Sequence, residues 1–295
     1  MTGEGTAMRT TKAAKPKASG LIRYPGGKGK LLKAIFPRLT RMATACGPQA
    51  EYREPFLGGG AVGLSLLSEG LTTRAWLNDR DPTMAALWDS VIHHPTSLRV
   101  FVEVTPEAMR LFPGNDYYRD DAEVLRSITD LGGVQRHPQG LVAAMKLAVH
   151  QMSYSGLGTK AGGPMGNRLC RYNVKRLNAK IEACHDILAS VELRQGTCTC
   201  LDFEAMFDTG PAFFYLDPPY VAKGPGLYRV FFTEADHVRL AERLRGEKHP
   251  WLLSYDDHPL VHRLYGGWSR IEKVEVGCSI NGCNKKNELL ISKVV

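Results

Sequence analysis

The chain contains no apolar run near the ~18 residues that a bilayer crossing needs. Its first twenty residues, MTGEGTAMRTTKAAKPKASG, lack the apolar centre of a secretory signal. A membrane or exported protein is therefore not expected, and a cytoplasmic location is. Cysteine is sparse: seven in 295 residues, an odd count that suits reduced thiols better than a disulfide framework. Cys198 and Cys200 with Cys278 and Cys283 offer four thiols, but CxC with Cx4C is neither a zinc ribbon nor a finger. His93 and His94 read as surface residues, so no metal site is expected.

Acidic residues are missing in two places. Residues 1–41 hold ten Lys or Arg against one acid, Glu4, and residues 151–180 hold six and no acid. The net charge of +8 is thus segregated, leaving the remainder net acidic. Segregated positive charge suits a polyanion, because every phosphate neutralised releases a counterion. The alternative is a solvated tail beside a chance cluster.

What is present is ordinary globular material, 43% hydrophobic and 23% charged, in a chain long enough for one large α/β domain or a domain with an insertion. Residues 1–20 read as a disordered basic tail. "LLKAIFPRL" suggests a short helix. "EYREPFLGGGAVGLSLLSEG" reads as strand, glycine loop and a helix carrying Val62, Leu64, Leu66 and Leu67. "RAWLND" is a second strand, followed by a helix with Asp81 as cap and Pro82 at its first position. Strands and helices in alternation predict a parallel sheet with crossovers. From 103 to 195 the pattern changes to helical pieces ("EAMRLF", "DAEVLRSI", "LVAAMKLAVHQM") and a glycine-rich stretch, "SGLGTKAGGPMG", as an inserted subdomain would. Alternation then resumes through "AFFYLDPPY", "TEADHVRLAERLRG" and "PWLLSYDD". It ends in "SRIEKVEV" and "NELLISKVV", which suit an antiparallel hairpin.

Two stretches carry chemistry. In "EPFLGGGAVG", glycines between strand and helix let backbone approach a ligand while helix N-terminal amides face it. The pattern is not GxGxxG, and it lacks the lysine and hydroxyl of a P-loop. Asp79 ends the next strand, where an acid can accept from ribose hydroxyls. In "AFFYLDPPY", five apolar residues run into Asp217 at the carboxyl edge of the sheet. Pro218 and Pro219 withhold backbone donors and stiffen the turn, leaving the Pro218 carbonyl free to accept. Tyr220 adds a flat face. A carboxylate, a free carbonyl and a stacking ring together suit a planar group bearing an exocyclic amine, such as a nucleobase. "SYDDHP" follows a strand, where its Asp256 and Asp257 would cap the next helix.

With "RYPGGKGKLL", "EPFLGGGAVG", "LNDRD", "DPPY" and "NELLISKV" in this order, the chain resembles DNA adenine N6-methyltransferases of the Dam type, the alpha group of S-adenosylmethionine-dependent amino-methyltransferases. The resemblance implies a Rossmann-like methyltransferase fold in 21–102 and 196–295, with a mostly parallel sheet and a terminal antiparallel hairpin. Residues 103–195 would be a mainly helical target-recognition subdomain. It implies Tyr24, Lys28, Phe56, Gly58, Gly60, Asp79 and Asp217 as cofactor contacts, with Asp202 and Phe203 of "LDFEAMF" against the adenine ring of S-adenosylmethionine. Asp217, Pro218, Pro219 and Tyr220 would be catalytic on a flipped-out adenine of double-stranded DNA. Lys160, Arg168, Arg171 and Lys175 would contact DNA. "SYDDHP" lies near the site in the family, the alternative to capping for Asp256 and Asp257. Tyrosine at 24 replaces the tryptophan of some members, and "YSGLGTKAGGPMGNRLCRYN" is longer than the family's "NGLxRYN", so no recognition sequence transfers. No restriction endonuclease partner follows from the motifs, and a monomer is the default. Rival readings are methylation of RNA adenine, cytosine N4 or a protein glutamine, and a DNA-binding relative without catalysis. Asp217 disfavours the cytosine and glutamine enzymes, which more often carry serine or asparagine there, but does not exclude RNA.

Overall fold

The structure, a computed structural model, describes residues 20–24, 26–111, 116–160, 168–208, 210–222, 229–276 and 286–293. The basic tail up to residue 19, residues 161–167 of the glycine-rich stretch, and Cys278 and Cys283 lie outside the described residues.

Seven strands form one sheet in the order β3-β2-β1-β4-β5-β7-β6. They are β1 (Glu51–Glu54), β2 (Arg74–Leu77), β3 (Glu192–Leu193), β4 (Ala212–Leu216), β5 (Trp251–Asp256), β6 (Ser269–Val276) and β7 (Lys286–Lys293). β1 to β5 run parallel, while β7 is antiparallel to β5 and to β6. This is a Rossmann-like methyltransferase fold, and the terminal hairpin is present. Its order was not evident from the sequence: β7 inserts between β5 and β6, which sets Glu288 opposite Asp256 at the carboxyl edge.

The period of two along β4 divides the core. Phe213 and Tyr215 face one cluster, with Ile35 and Leu39 of α1 (Leu32–Cys46) and Leu66 of α2 (Ala61–Ser68). Ala212, Phe214 and Leu216 face a second, with Leu240 and Leu244 of the helix Glu234–Gly246 and Val261 of the helix Pro259–Tyr265. A strand buried on both faces must be apolar throughout, as "AFFYL" is. β1 is central as well, yet it reads "EYRE". Its Arg53 is fully buried because Glu51 (2.7 Å), Asp208 (2.6 Å) and the Met206 carbonyl (2.7 Å) engage the guanidinium, and Trp76 and Phe214 lie beside it.

Between β2 and β3 the chain is helical: α3 (Pro82–His93), α4 (Pro95–Leu111), α5 (Asp116–Ser127), α6 (Leu131–Gln135), α7 (Leu141–Met152) and α8 (Val174–Ala189). Composition did not mark α8, whose interior is polar on average. Its apolar residues nevertheless recur at helical spacing, Leu177, Ile181, Cys184 and Leu188, and Asn173 caps it by accepting from the Arg176 amide. α4 begins well before "EAMRLF". These helices share the first core cluster with the sheet: Leu98, Val102, Leu147 and Ile181 join Leu77 and Leu87. The final two helices are α9 (Glu234–Gly246), closed by a Thr233–Asp236 capping box, and α10 (Pro259–Tyr265).

One buried ion pair ties this helical segment to the sheet's edge. Asp81 caps α3 through the Thr83 amide and hydroxyl and accepts from Lys146 Nζ of α7 at 2.7 Å. Burial alone would raise the Asp81 carboxyl, but the Lys146 ammonium and these hydrogen bonds hold it well below the usual carboxylate range. Among the described residues, removing Lys146 leaves the buried Asp81 charge with only the longer ionic contact to Arg229, at 3.5 Å. Lys146→Met should therefore lower stability by about 3 kcal/mol in urea unfolding. The double change Lys146→Met with Asp81→Asn should recover much of the loss, because asparagine still caps α3.

Candidate active site

β1, β2 and β4 end side by side, and the functional candidates follow each of them. β1 closes on Glu54, whose carboxyl accepts from the Tyr52 hydroxyl at 2.8 Å. Gly63 at the start of α2 has no room for more: a Cβ there would stand 2.3 Å from Glu54 Oε2. Burial pushes the Glu54 carboxyl up to about 8, so at neutral pH it mostly keeps its proton.

The glycine loop after β1 is fixed from three sides. Gly58 and Gly60 take positive φ, +48° and +70°, and a Cβ on Gly60 would meet the Trp88 ring at 2.6 Å. Trp88 Nε1 donates to the Gly58 carbonyl at 2.9 Å. Asp79, after β2, accepts from the Gly58 amide at 2.8 Å and from the Asp81 amide at 2.9 Å. Burial, with the neighbouring Asp81 charge, raises its carboxyl to about 6. Tyr24 lies against Gly58, where a Cβ would be 3.1 Å from its ring, and stacks on His150 with centroids 5.6 Å apart.

After β4, the Asp217 carboxylate is held at both oxygens. Lys28 Nζ, from the turn before α1, is 2.8 Å from Oδ2, and Ser254 Oγ of β5 donates to Oδ1 at 3.0 Å. Lys28 is 3% exposed. Its ammonium also donates to the Gly26 carbonyl at 2.6 Å and stands 3.9 Å from Glu288 and 4.8 Å from the centre of the Tyr220 ring. The Tyr220 hydroxyl donates to Glu288 Oε2 at 2.7 Å. Among the described residues, none donates to the Pro218 carbonyl. Burial raises the Asp217 carboxyl above its ordinary value, while Lys28 and Ser254 oppose the rise.

A cavity of about 280 Å³ opens along this edge, lined by Tyr24, Lys28, Phe56, Gly58, Gly60, Asp79, Asp217 and Pro219, with Glu54, Arg80, Arg229 and Phe232. Asp202 and Phe203 do not line it. Phe203 packs behind, against Phe56 and Phe232 at 5.9 and 5.7 Å. Asp202 caps the turn Phe203–Met206 and pairs with Arg239 at 2.8 Å and Arg80 at 3.6 Å. Among the basic candidates, Lys160, Arg171 and Lys175 are exposed; Arg168 falls in the turn Arg168–Arg171.

The family model of the D12 class N6 adenine-specific DNA methyltransferases matches residues 24–277, most of the chain. The chain belongs to this family. The enzyme is accordingly an adenine-specific DNA methyltransferase, and a comparison with curated proteins gives no match.

Several residues that shape the methyltransferase's site were not singled out from the sequence. Ser254 and Glu288 reach Asp217 or its neighbours only through strand order, while Tyr215 lies on β4 two residues before Asp217. Tyr215 OH lies 2.9 Å from Ser254 Oγ, which in turn holds Asp217. Asp256 and Asp257 are not the caps of α10. His258 accepts from the Leu260 amide in that role, Asp257 pairs with Lys273 and His262, and Asp256 accepts from the Val221 and Ala222 amides at 3.1 and 3.0 Å. That last bond pair fixes the chain just beyond Tyr220. The one hint in the sequence was a lone acid beside the apolar run Leu289–Ile291, Glu288 in "NELLIS".

Because the folded protein favours protonated Glu54, its contribution is full below the ordinary value of 4.5 and is lost as pH rises to about 8. Glu54→Gln mimics the protonated acid. Its melting temperature should match wild type near pH 4.5, exceed it increasingly toward pH 8, and hold a constant lead above that. The gap should open by at most about 1.4 kcal/mol per pH unit.

Proposed function

We propose that the enzyme transfers a methyl group from S-adenosylmethionine to the N6 amine of an adenine flipped out of double-stranded DNA. The observation that carries this reading is Asp217: a half-buried carboxylate at the end of a rigid strand that lines the cavity, followed directly by Pro218, whose carbonyl accepts no hydrogen bond among the described residues, and by the Tyr220 ring.

The cavity suits the cofactor. Its glycines keep side chains out of the loop, Asp79 presents a carboxylate at the end of β2, and Phe56 and Phe232 give an apolar wall. Tyr24, Lys28, Phe56, Gly58, Gly60 and Asp79 would hold it, while Asp202 and Phe203 act from behind the wall. S-adenosylmethionine, when bound, supplies an electrophilic methyl group on sulfur. The protein's residues act on the amine. Adenine N6 is a poor nucleophile because its lone pair is delocalised into the ring. Hydrogen bonds from N6 to the Asp217 carboxylate and the Pro218 carbonyl favour a more tetrahedral nitrogen and aim its lone pair. Rate then comes from positioning and electrostatics, with no covalent enzyme intermediate. One N6 proton leaves after the new carbon–nitrogen bond has formed.

A base inside a duplex is out of reach of Asp217, so the adenine must leave the stack. Tyr220 offers its ring to the extruded base and offsets part of an unstacking cost of a few kcal/mol. Residues 103–195 are assigned to target recognition, with Lys160, Arg168, Arg171 and Lys175 on phosphates or bases. Exposure of Lys160, Arg171 and Lys175 supports this assignment.

Incubation with methyl-labelled S-adenosylmethionine and unmethylated duplex DNA should place label in N6-methyladenine. Asp217→Ala should lower kcat at least about 1,000-fold. Label in RNA or protein, with none in DNA, would refute the reading. The wild-type rate should fall at acid pH with a midpoint above that of an ordinary aspartate, since burial raises Asp217.

The double variant Arg171→Ala with Lys175→Ala should weaken DNA binding without lowering kcat at saturating DNA. If both residues contact phosphate, the slope of log affinity against log salt should flatten by about 2.

A further inference from the structure

We propose that Glu288 is a positioning residue of the transfer reaction: it supplies the second carboxylate of a half-buried cluster around the buried Lys28, so that Lys28 orders Asp217 without cancelling its charge. The proposal rests on the reading that Asp217 receives the target amine.

A single ammonium stands between two carboxylates. Lys28 Nζ is 2.8 Å from Asp217 and 3.9 Å from Glu288, and it lies over the Tyr220 ring, whose hydroxyl donates to Glu288 at 2.7 Å. Lys28 alone with Asp217 would make a neutral pair, and a neutral pair does little for an amine that gains positive charge as it takes the methyl group. With Glu288 ionised the cluster is net −1. Placed in a low-dielectric pocket, that charge acts more strongly than it would in water. Glu54 does not supply it, because it mostly keeps its proton at neutral pH. Asp256 is spent on the Val221 and Ala222 amides.

Glu288 has this place because of strand order. β7 runs antiparallel beside β5, with Glu288 paired to Asp256 and Leu290 to Ser254, so the first turn of pairing brings β7's acid to the carboxyl edge that β4 reaches with Asp217. The groups facing Glu288 are Lys28 from the turn before α1, Asp217 and Tyr220 from beyond β4, and Asp256 from β5. Those facing Asp217 include Glu54 of β1, Tyr215 of β4 and Ser254 of β5.

The charge and the hydrogen bond can be separated. Glu288→Gln keeps an acceptor for the Tyr220 hydroxyl and removes the charge. Tyr220→Phe removes that hydrogen bond and leaves the charge. With labelled methyl transfer to duplex DNA as the assay, Glu288→Gln should lower kcat about 10- to 100-fold. Both KM values should stay within about threefold, and the acid limb should move to lower pH, because Asp217 loses a like-charged neighbour. Tyr220→Phe should cost less in kcat. A Glu288→Gln enzyme with wild-type kcat and an unmoved limb would overturn the proposal and leave Glu288 as a mere prop for Tyr220.

A substrate-free measurement keeps the test independent of the reaction. In protein carrying 13C at the glutamate side-chain carboxyls, the Glu288 signal is assigned by its loss in Glu288→Gln, or in Glu288→Ala if that is the variant that folds. It should titrate above the ordinary glutamate value and move higher still in Lys28→Met. A signal that titrates normally and ignores Lys28→Met would sink the cluster. Wild type that binds cofactor but never methylates adenine, with this titration as expected, would refute the proposed reaction and leave the cluster standing.

Discussion

The Lys28–Asp217 ion pair is the interaction on which the site depends. Asp217 is placed by the sheet, since β4 is buried on both faces and ends at the carboxyl edge. Lys28 comes from a short turn with little structure of its own, and it is buried only because a carboxylate and the Gly26 carbonyl satisfy it. The pair therefore pulls the glycine-rich segment before α1 across the ends of the strands. That segment carries Tyr24 onto Gly58 and so forms one wall of the cavity. A buried ion pair is weak evidence for stability; here its consequence is geometric, because it holds Lys28 against Asp217 at the strand ends.

The same rule governs the other buried charges of this edge. Each acid has a distinct partner, and each partner sets a distinct protonation state. Glu54 has a neutral donor, the Tyr52 hydroxyl, and keeps its proton. Asp79 has two backbone amides but a like-charged neighbour, and sits between. Asp81 has Lys146 and stays ionised. Four carboxyls within one pocket could not all be charged at tolerable cost. The arrangement leaves negative charge at Asp217, beside the Lys28 ammonium, and removes it from Glu54 behind.

Much of this was legible in the sequence, for identifiable reasons. The strand "AFFYL" declares itself because a doubly buried strand must be apolar, and "DPPY" because its two prolines make sense only where a free carbonyl has a use. Asp81 with Pro82 announces a helix start by its own chemistry. What escaped depends on pairing between distant segments. Ser254 and Asp256 acquire meaning only once β5 is known to lie beside β4, and Glu288 once β7 is known to lie between β5 and β6; nothing local in "NELLIS" encodes that order. α8 escaped because its apolar residues cover a narrow stripe among charges. Asp202 and Phe203, which the resemblance puts against the adenine ring of the cofactor, stand behind the cavity wall, Phe203 packed on Phe56 and Phe232.

The helical segment between β2 and β3 is not a loosely hung appendage, and this bears on how target recognition could reach the chemistry. Asp81 borders the cavity, caps α3, pairs with Lys146 of α7 and lies 3.5 Å from Arg229. Arg229 in turn donates to the Leu125 and Ile128 carbonyls at the end of α5. Two helices of the segment thus converge through charged, buried contacts on one aspartate of the cavity rim. Coupling between sites needs an element whose arrangement both can bias. A cation that bridges the carboxyl end of α5 to the rim is the kind of contact that a shift of α5 on DNA would have to strain or break. Apolar packing alone would let the helices slide with little directional cost. Directed ionic contacts do not, and they tie the positions of α5 and α7 to the rim of the cavity.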